Sequence, residues 1–194
     1  MSTPRRSYHH GDLRASLVEA ALAIIKQHGM DALSLRRLAE HVGVSATAIY
    51  HHFQDKQALL GALSLLGLQR FEHEVYARLE LDDSGWQTRY RNFVHAYLNF
   101  AAEEPELYEL MFGRSLWKQP GDDEYRQAAR QAFRRYSEVL AQTFPDTEQP
   151  LRLAQMGWAT LHGLVRMLND GLAFRAEDIN HIADFAVDWL VRRR

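Results

Sequence analysis

Apolar residues recur at spacings of three and four along most of the chain, the period of an amphipathic helix. Leu13, Leu17, Ala20, Ile24 and Ile25 predict a first helix that Gly29 ends. Ser34 stands ahead of Leu35, Leu38, Ala39 and Val42 and predicts a short N-capped second helix, stopped by Gly43. Ser45 opens another short segment with Ile49 and Phe53 facing inward. Asp55 then precedes a long helix from about Lys56 to Leu79. That helix is apolar almost all round between Ala58 and Leu68, which predicts burial on several sides.

Beyond a turn at Asp82, Asp83, Ser84 and Gly85, the stripe Trp86, Tyr90, Phe93, Tyr97 and Phe100 predicts another amphipathic helix. Pro105 begins a short segment, PELYELMF, and the loop KQPGDD precedes a helix from about Glu124 to Thr143. After PDTEQP comes an apolar helix from about Leu151 to Leu172, and a last one starts near Glu177. Its terminal Arg192, Arg193 and Arg194 suit the negative end of a helix dipole. No alternating strand pattern or internal repeat is present, so the expected class is all-α with about nine helices.

The 194 residues are 46% hydrophobic, enough for a sizeable core in one or two domains. The absence of cysteine excludes disulfides and thiolate chemistry. The first residues, MSTPRRSYHHGDLR, lack the apolar segment of a secretory signal, and no apolar run is long enough to span a bilayer. A soluble cytoplasmic protein is expected. The net charge of −2 argues against a nucleic-acid partner until its distribution is read. Residues 1–60 hold seven Lys and Arg against five Asp and Glu, with six of the ten histidines, whereas residues 61–194 hold sixteen against twenty. The N-terminal part is therefore the expected anion-facing one.

The helix ending at Val42, the break at Gly43 and Val44, and the helix from Ala46 form a helix-turn-helix pattern. Such a unit sets the start of its second helix in the DNA major groove. Here that start is Ser45, Ala46, Thr47 and Ala48, small enough for close approach, and Thr47 suits a base edge or a thymine methyl. Arg36 is the candidate guanine contact. Tyr50, His51, His52 and Lys56 can donate to phosphate oxygens, and Lys56 opens the next helix, whose N-terminus favours an anion. His9 with Arg5 or Arg6 suits an arm reaching phosphate or the minor groove.

The run SLRRLAEHVGVSATAIYHHFQDKQALL resembles the DNA-binding domain of TetR-type transcriptional regulators, and SYHHGDLRASLVEAALAIIKQHG resembles their first helix and arm. Tyr50, His52, Phe53 and Lys56 hold the family's tyrosine, histidine, aromatic and lysine, and Ile49 stands where leucine is usual. The segment GWATLHGLVRMLNDG, with Trp158, His162 and Gly163, is similar to a C-terminal subgroup signature. The resemblance implies a homodimer on a palindromic DNA operator, usually a repressor, with a small-molecule effector pocket in the C-terminal helices. It divides the chain into an arm and helix-turn-helix domain over 1–56 and an effector-binding and dimerisation domain over 57–194.

The last two helices are the expected dimer interface. Trp158, Leu161, Val165 and Leu168 on one, with Ile182, Ala183, Phe185, Ala186, Trp189 and Leu190 on the other, supply apolar area, and Gly157, Ala159 and Gly163 allow close approach. The alternative is packing within the chain. Tyr97, Met111, Phe112, Tyr136, Trp158, His162 and Met167 are candidates to line a pocket for a mostly apolar effector, against the alternative that they form plain core. The adjacent pairs His9-His10 and His51-His52 lack the spacing of four that helical metal ligands prefer, so neither metal nor cofactor is expected. No phosphate-cradling glycine loop or nucleophile elbow is present, so no enzyme is expected.

Overall fold

The computed structural model describes residues 10–79, 85–113, 123–144, 148–171 and 175–191. Among the described residues it contains nine α-helices, three short 3-10 turns and no strand, matching the all-α expectation. The expected arm at Arg5, Arg6 and His9, the turn at Asp82 to Ser84, most of the KQPGDD and PDT stretches, and Arg192 to Arg194 lie outside the described residues. The chain divides into two compact units, Met1–Ser64 and Leu65–Arg194.

The first unit holds α1 (His10–His28), α2 (Leu35–Val42), α3 (Ala46–His52) and the start of α4 (Lys56–Glu74). Helix α1 packs on α2, and α2 on α3. Leu17, Leu38, Ile49, Phe53, Leu59 and Leu63 are fully buried, as the apolar spacing predicts. Each short helix is closed by its own local chemistry. Ser34 Oγ accepts from the Arg37 N–H at 3.1 Å, Ser45 Oγ from Ala48 at 3.2 Å, and Asp55 Oδ1 from Ala58 at 2.8 Å. A hydroxyl or carboxylate at this position satisfies an N–H that the helix itself leaves open. Gly43 ends α2 at φ 76° and ψ 32°, a left-handed conformation that costs glycine nothing sterically.

The second unit continues α4 and adds α5 (Trp86–Glu103), α6 (Pro105–Phe112), α7 (Asp123–Thr143), α8 (Pro150–Asn169) and α9 (Ile179–Val191). Helix α5 is central: it packs against α6, α8 and α9, while α7 packs on α8. The long helix expected to reach Leu79 stops at Glu74 and gives way to a 3-10 turn over Tyr76–Leu79. In that turn residues three apart eclipse one another. Tyr76 and Leu79 thus both enter the core, with the Tyr76 ring stacked on Tyr136 at 6.2 Å. Phe71 receives the edges of Tyr76, Tyr97 and Phe100 at 5.1–5.4 Å, a preferred aromatic geometry. Helix α8 starts on Pro150 and is followed by Gly171 at φ 64°, so it ends before Leu172.

Candidate nucleic-acid interface and ligand cavity

In the first unit α2, the Gly43 turn and α3 build a helix-turn-helix. Ile49, at 0% exposure, anchors α3 from beneath, and its outer face stays bare. Ser45, Ala46, Thr47 and His51 are exposed, His52 is half-buried, and Tyr50 is 59% exposed despite its size. An exposed aromatic on an otherwise well-buried unit is a candidate contact surface. Apart from Arg36 on α2, the residues expected to meet DNA therefore fall on α3 and its flanks.

Three of them already have partners in the chain. Ser45 spends an acceptor lone pair on its cap. Lys56 Nζ donates to the Met30 carbonyl at 3.2 Å, which ties α4 to the 3-10 turn Met30–Ala32 and leaves two ammonium donors. Arg36 Nε pairs with Glu40 at 3.0 Å, one turn along α2. With the two side chains 88% and 65% exposed, that pair is weak and readily exchanged for another acceptor. Asp55 brings a carboxylate to the start of α4, so this end is already partly neutralised. Arg14, which the sequence did not single out, lies over the Phe53 ring at 5.2 Å and braces the end of α3.

The second unit contains a cavity of about 470 Å3, within the range of small-molecule sites. Its lining is Leu68, Tyr76, Phe112, Ala129, Arg130, Ala132, Phe133, Gln155, Trp158 and Ala159, drawn from α4, the Tyr76–Leu79 turn, α6, α7 and α8. Of the seven expected pocket residues, Phe112 and Trp158 line it. Tyr97 and Met111 are wholly buried instead, and Met111 lies over Gly67, where a Cβ would stand 2.9 Å from its Cγ. Tyr136 borders a separate void of about 30 Å3, and its hydroxyl occupies the space beside Gly157. The alanines that open the cavity, Ala129, Ala132 and Ala159, carry no signal in the sequence, because a void is made by side chains that are missing.

His162 stands behind the wall. It stacks on Trp158 at 5.3 Å, and its Nδ1 lies 2.6 Å from the Tyr108 hydroxyl, which lies 2.9 Å from that of Tyr97. Burial, and then the Arg166 cation, lower the His162 pKa and favour the neutral ring. A neutral ring with its proton on Nε2 accepts at Nδ1 from Tyr108, which leaves the Tyr108 oxygen to accept from Tyr97. Burial raises the pKa of both phenols well above their usual value, so they stay protonated. Arg166 is held by an ion pair with Glu109.

The expected interface residues divide. Leu161 and Val165 at 0%, Ala183 at 1% and Ala186 at 6% exposure are filled by their own chain and offer a partner almost no surface. Gly157 likewise makes room for Tyr136 within the chain. Trp158 belongs to the cavity wall. Ile182 is half-buried, Trp189 is 39% exposed, and the Leu190 side chain lies outside the described residues. Phe185, expected on this surface, is 71% exposed on α9, and Leu151 at 51%, Met156 at 61% and Met167 at 40% are exposed on α8. A polar seam fastens α9 to α5, with Arg91 on Asp184 at 2.7 Å and His95 Nε2 on Asp184 at 3.0 Å. Among the described residues no cluster could hold a metal, and no helix is long and apolar enough to cross a membrane.

Residues 17–63 match the family of bacterial regulatory proteins, tetR family, and residues 90–190 match the tetracyclin repressor-like C-terminal domain. The tetracycline repressor protein class D of Escherichia coli is 37% identical over 79 residues, 41% of this chain and 35% of that protein. The match thus spans about a third of that relative's length. A protein with unknown function from Rhodococcus sp. RHA1 has a solved structure that superposes with a TM-score of 0.82 at 31% identity, over 97% of this chain and 98% of that one. AibR, solved in complex with isovaleryl coenzyme A and operator DNA, shares the fold at a TM-score of 0.66 and 18% identity, over 90% of this chain and 95% of that one. With a helix-turn-helix at one end and a matching C-terminal domain over half its length, the chain belongs to the TetR family of transcriptional regulators, which are not enzymes.

Proposed function

We propose that the chain is a cytoplasmic, ligand-responsive repressor that binds a palindromic operator as a homodimer and is released by a small, mostly apolar effector. Residues 1–56 form the DNA-binding domain in this reading, and 57–194 bind effector and dimerise. The observation that carries it is the bare outer face of α3, where Ala46, Thr47, Tyr50 and His51 are exposed around a fully buried Ile49. Thr47, Ala46 and Arg36 meet base edges, and Ser45, Tyr50, His51, His52 and Lys56 hold phosphates. The similarity to a tetracycline repressor supports repression, and the AibR complex with isovaleryl coenzyme A and operator DNA supports an operator and a small-molecule ligand.

Two copies are needed because a palindrome presents half-sites about 34–36 Å apart. Met156 and Met167 on α8, with Ile182, Phe185 and Trp189 on one side of α9, supply exposed or half-exposed apolar area for the partner. An effector that favours one spacing of the two DNA-binding units over another changes operator affinity, and the operator changes effector affinity by the same factor. A gel-shift titration against DNA flanking the coding region, beside a scrambled duplex and across a salt series, tests the reading. Tight binding to the native sequence alone is expected. Equal, weak binding to both duplexes counts against it.

A further inference from the structure

We infer that the cavity of the second unit takes an amphipathic carboxylate, an anionic headgroup on an apolar or aromatic body. The inference rests on the effector-binding role proposed above and gives it a ligand class. The floor and walls are Leu68, Phe112, Ala132, Phe133 and Trp158, which suit hydrocarbon or a ring. Phe112 and Phe133 meet Trp158 edge to face at 5.8 and 6.0 Å, so the aromatic wall is already braced without a ligand.

The polar lining is sparse: it consists of Tyr76, Arg130 on α7 and Gln155 on α8, with Arg130 the one full charge among the described lining residues. Among the described residues, nothing holds the Arg130 side chain by a hydrogen bond or ion pair. Gln155 Oε1 accepts from Arg152 at 3.0 Å, and its NH2 group adds two donors. No aspartate or glutamate is among the described lining residues, though the Glu72 carboxylate on α4 acts on Tyr76 from outside the lining. Arg126 and Arg134 stand one turn to either side of Arg130. Like charges four apart on a helix repel and weaken it slightly, and here they raise the positive potential along the helix that carries Arg130. A cationic side chain with no carboxylate among the described lining residues favours an anionic headgroup, and a guanidinium matches a carboxylate with two parallel hydrogen bonds.

The bland alternative is that Arg130 only lays its methylene stem over the apolar wall and keeps its head in water. Decanoate, decan-1-ol and decylamine separate the two, since they share a chain and differ in headgroup. Each is titrated into the full chain by tryptophan fluorescence, and binding is checked by the shift in melting temperature. Decanoate is expected to bind at least about tenfold more tightly than decylamine. Arg130→Met keeps the stem, and is expected to weaken decanoate about tenfold while leaving decan-1-ol unchanged. Arg130→Lys is expected to recover part of the loss. Ala159→Trp, which fills the cavity from its exposed wall, is expected to abolish both. Equal binding of all three probes, equal effects of Arg130→Met on decanoate and decan-1-ol, or no binding of decanoate overturns the inference. Operator binding is measured on the same preparation: selective DNA binding with no decanoate binding removes the ligand class and leaves the regulator, whereas absent DNA binding removes the regulator reading itself.

Discussion

In the first unit, what shapes the functional surface is close in sequence to what it shapes. Ser34, Ser45 and Asp55 each cap a helix three residues on, and Gly43 turns the chain within one hydrogen bond of Ala39. In the second unit the corresponding bonds reach across the chain. Tyr108 and His162 are 54 residues apart, Arg91 and Asp184 are 93, and the cavity takes walls from four helices and a 3-10 turn. Local closure gives a preformed face suited to a target of fixed shape such as a DNA groove. Closure between distant elements gives an interior whose walls can shift against one another when something occupies it.

The largest effect expected concerns the division of α8 and α9 into core and surface. Leu161→Ala should cost about 2–5 kcal/mol in urea unfolding, because it empties a site sealed within the chain. Phe185→Glu should leave the helical circular dichroism intact and convert dimer to monomer by sedimentation. If Phe185→Glu stays dimeric, the partner surface lies elsewhere. Next, Arg36→Ala should leave stability within about 0.5 kcal/mol, since its pair with Glu40 is exposed, yet cost about 1–3 kcal/mol of operator binding at one base position. A uniform loss across sequences would make Arg36 a phosphate contact. Ser45→Ala should cost about 1 kcal/mol of stability by removing the α3 cap, a local effect that the second unit does not feel.

The fourth prediction concerns pH. Since burial and Arg166 hold the folded His162 below its ordinary value of 6.5, the unfolded chain binds that proton more readily. The contribution of neutral His162 to stability is full above about pH 6.5 and is lost as pH falls through the lower folded value. The urea midpoint should drop over that window, and His162→Gln should flatten the drop. An unchanged profile would remove His162 from the account. The smallest effect is on salt dependence. Lys56→Ala should reduce the slope of log affinity against log salt by about one, with a small stability loss from the Met30 carbonyl bond.

Much of the first unit was legible from the sequence because its determinants are neighbours. The run from Ser34 to Lys56 contains its own caps, turn and anchor, so pattern reading reached the helix boundaries and the exposed face together. The second unit was legible as helices but not as a site. Phe112 and Trp158 were recognisable as candidate walls because they are large and aromatic. Arg130 was not, since an arginine on a charged helix looks like ordinary surface until the facing alanines are known. Tyr97, Tyr136 and Met111 went to the core for the same reason in reverse: large side chains with a polar or polarisable tip suit a cavity wall and a sealed core equally well in one dimension.

The sequence by itself determined the all-α class, the order of the helices and the helix-turn-helix, because 3.6-residue periodicity, capping hydroxyls and a left-handed glycine act over a few residues. Only the tertiary structure decided which apolar face meets the chain and which meets water. Met156 and Leu161 lie five residues apart on α8, are similarly apolar, and are 61% and 0% exposed. Periodicity tells which residues share a face of a helix. What covers that face depends on α5, α6 and α7, and the burial that makes it core comes only when those distant segments arrive.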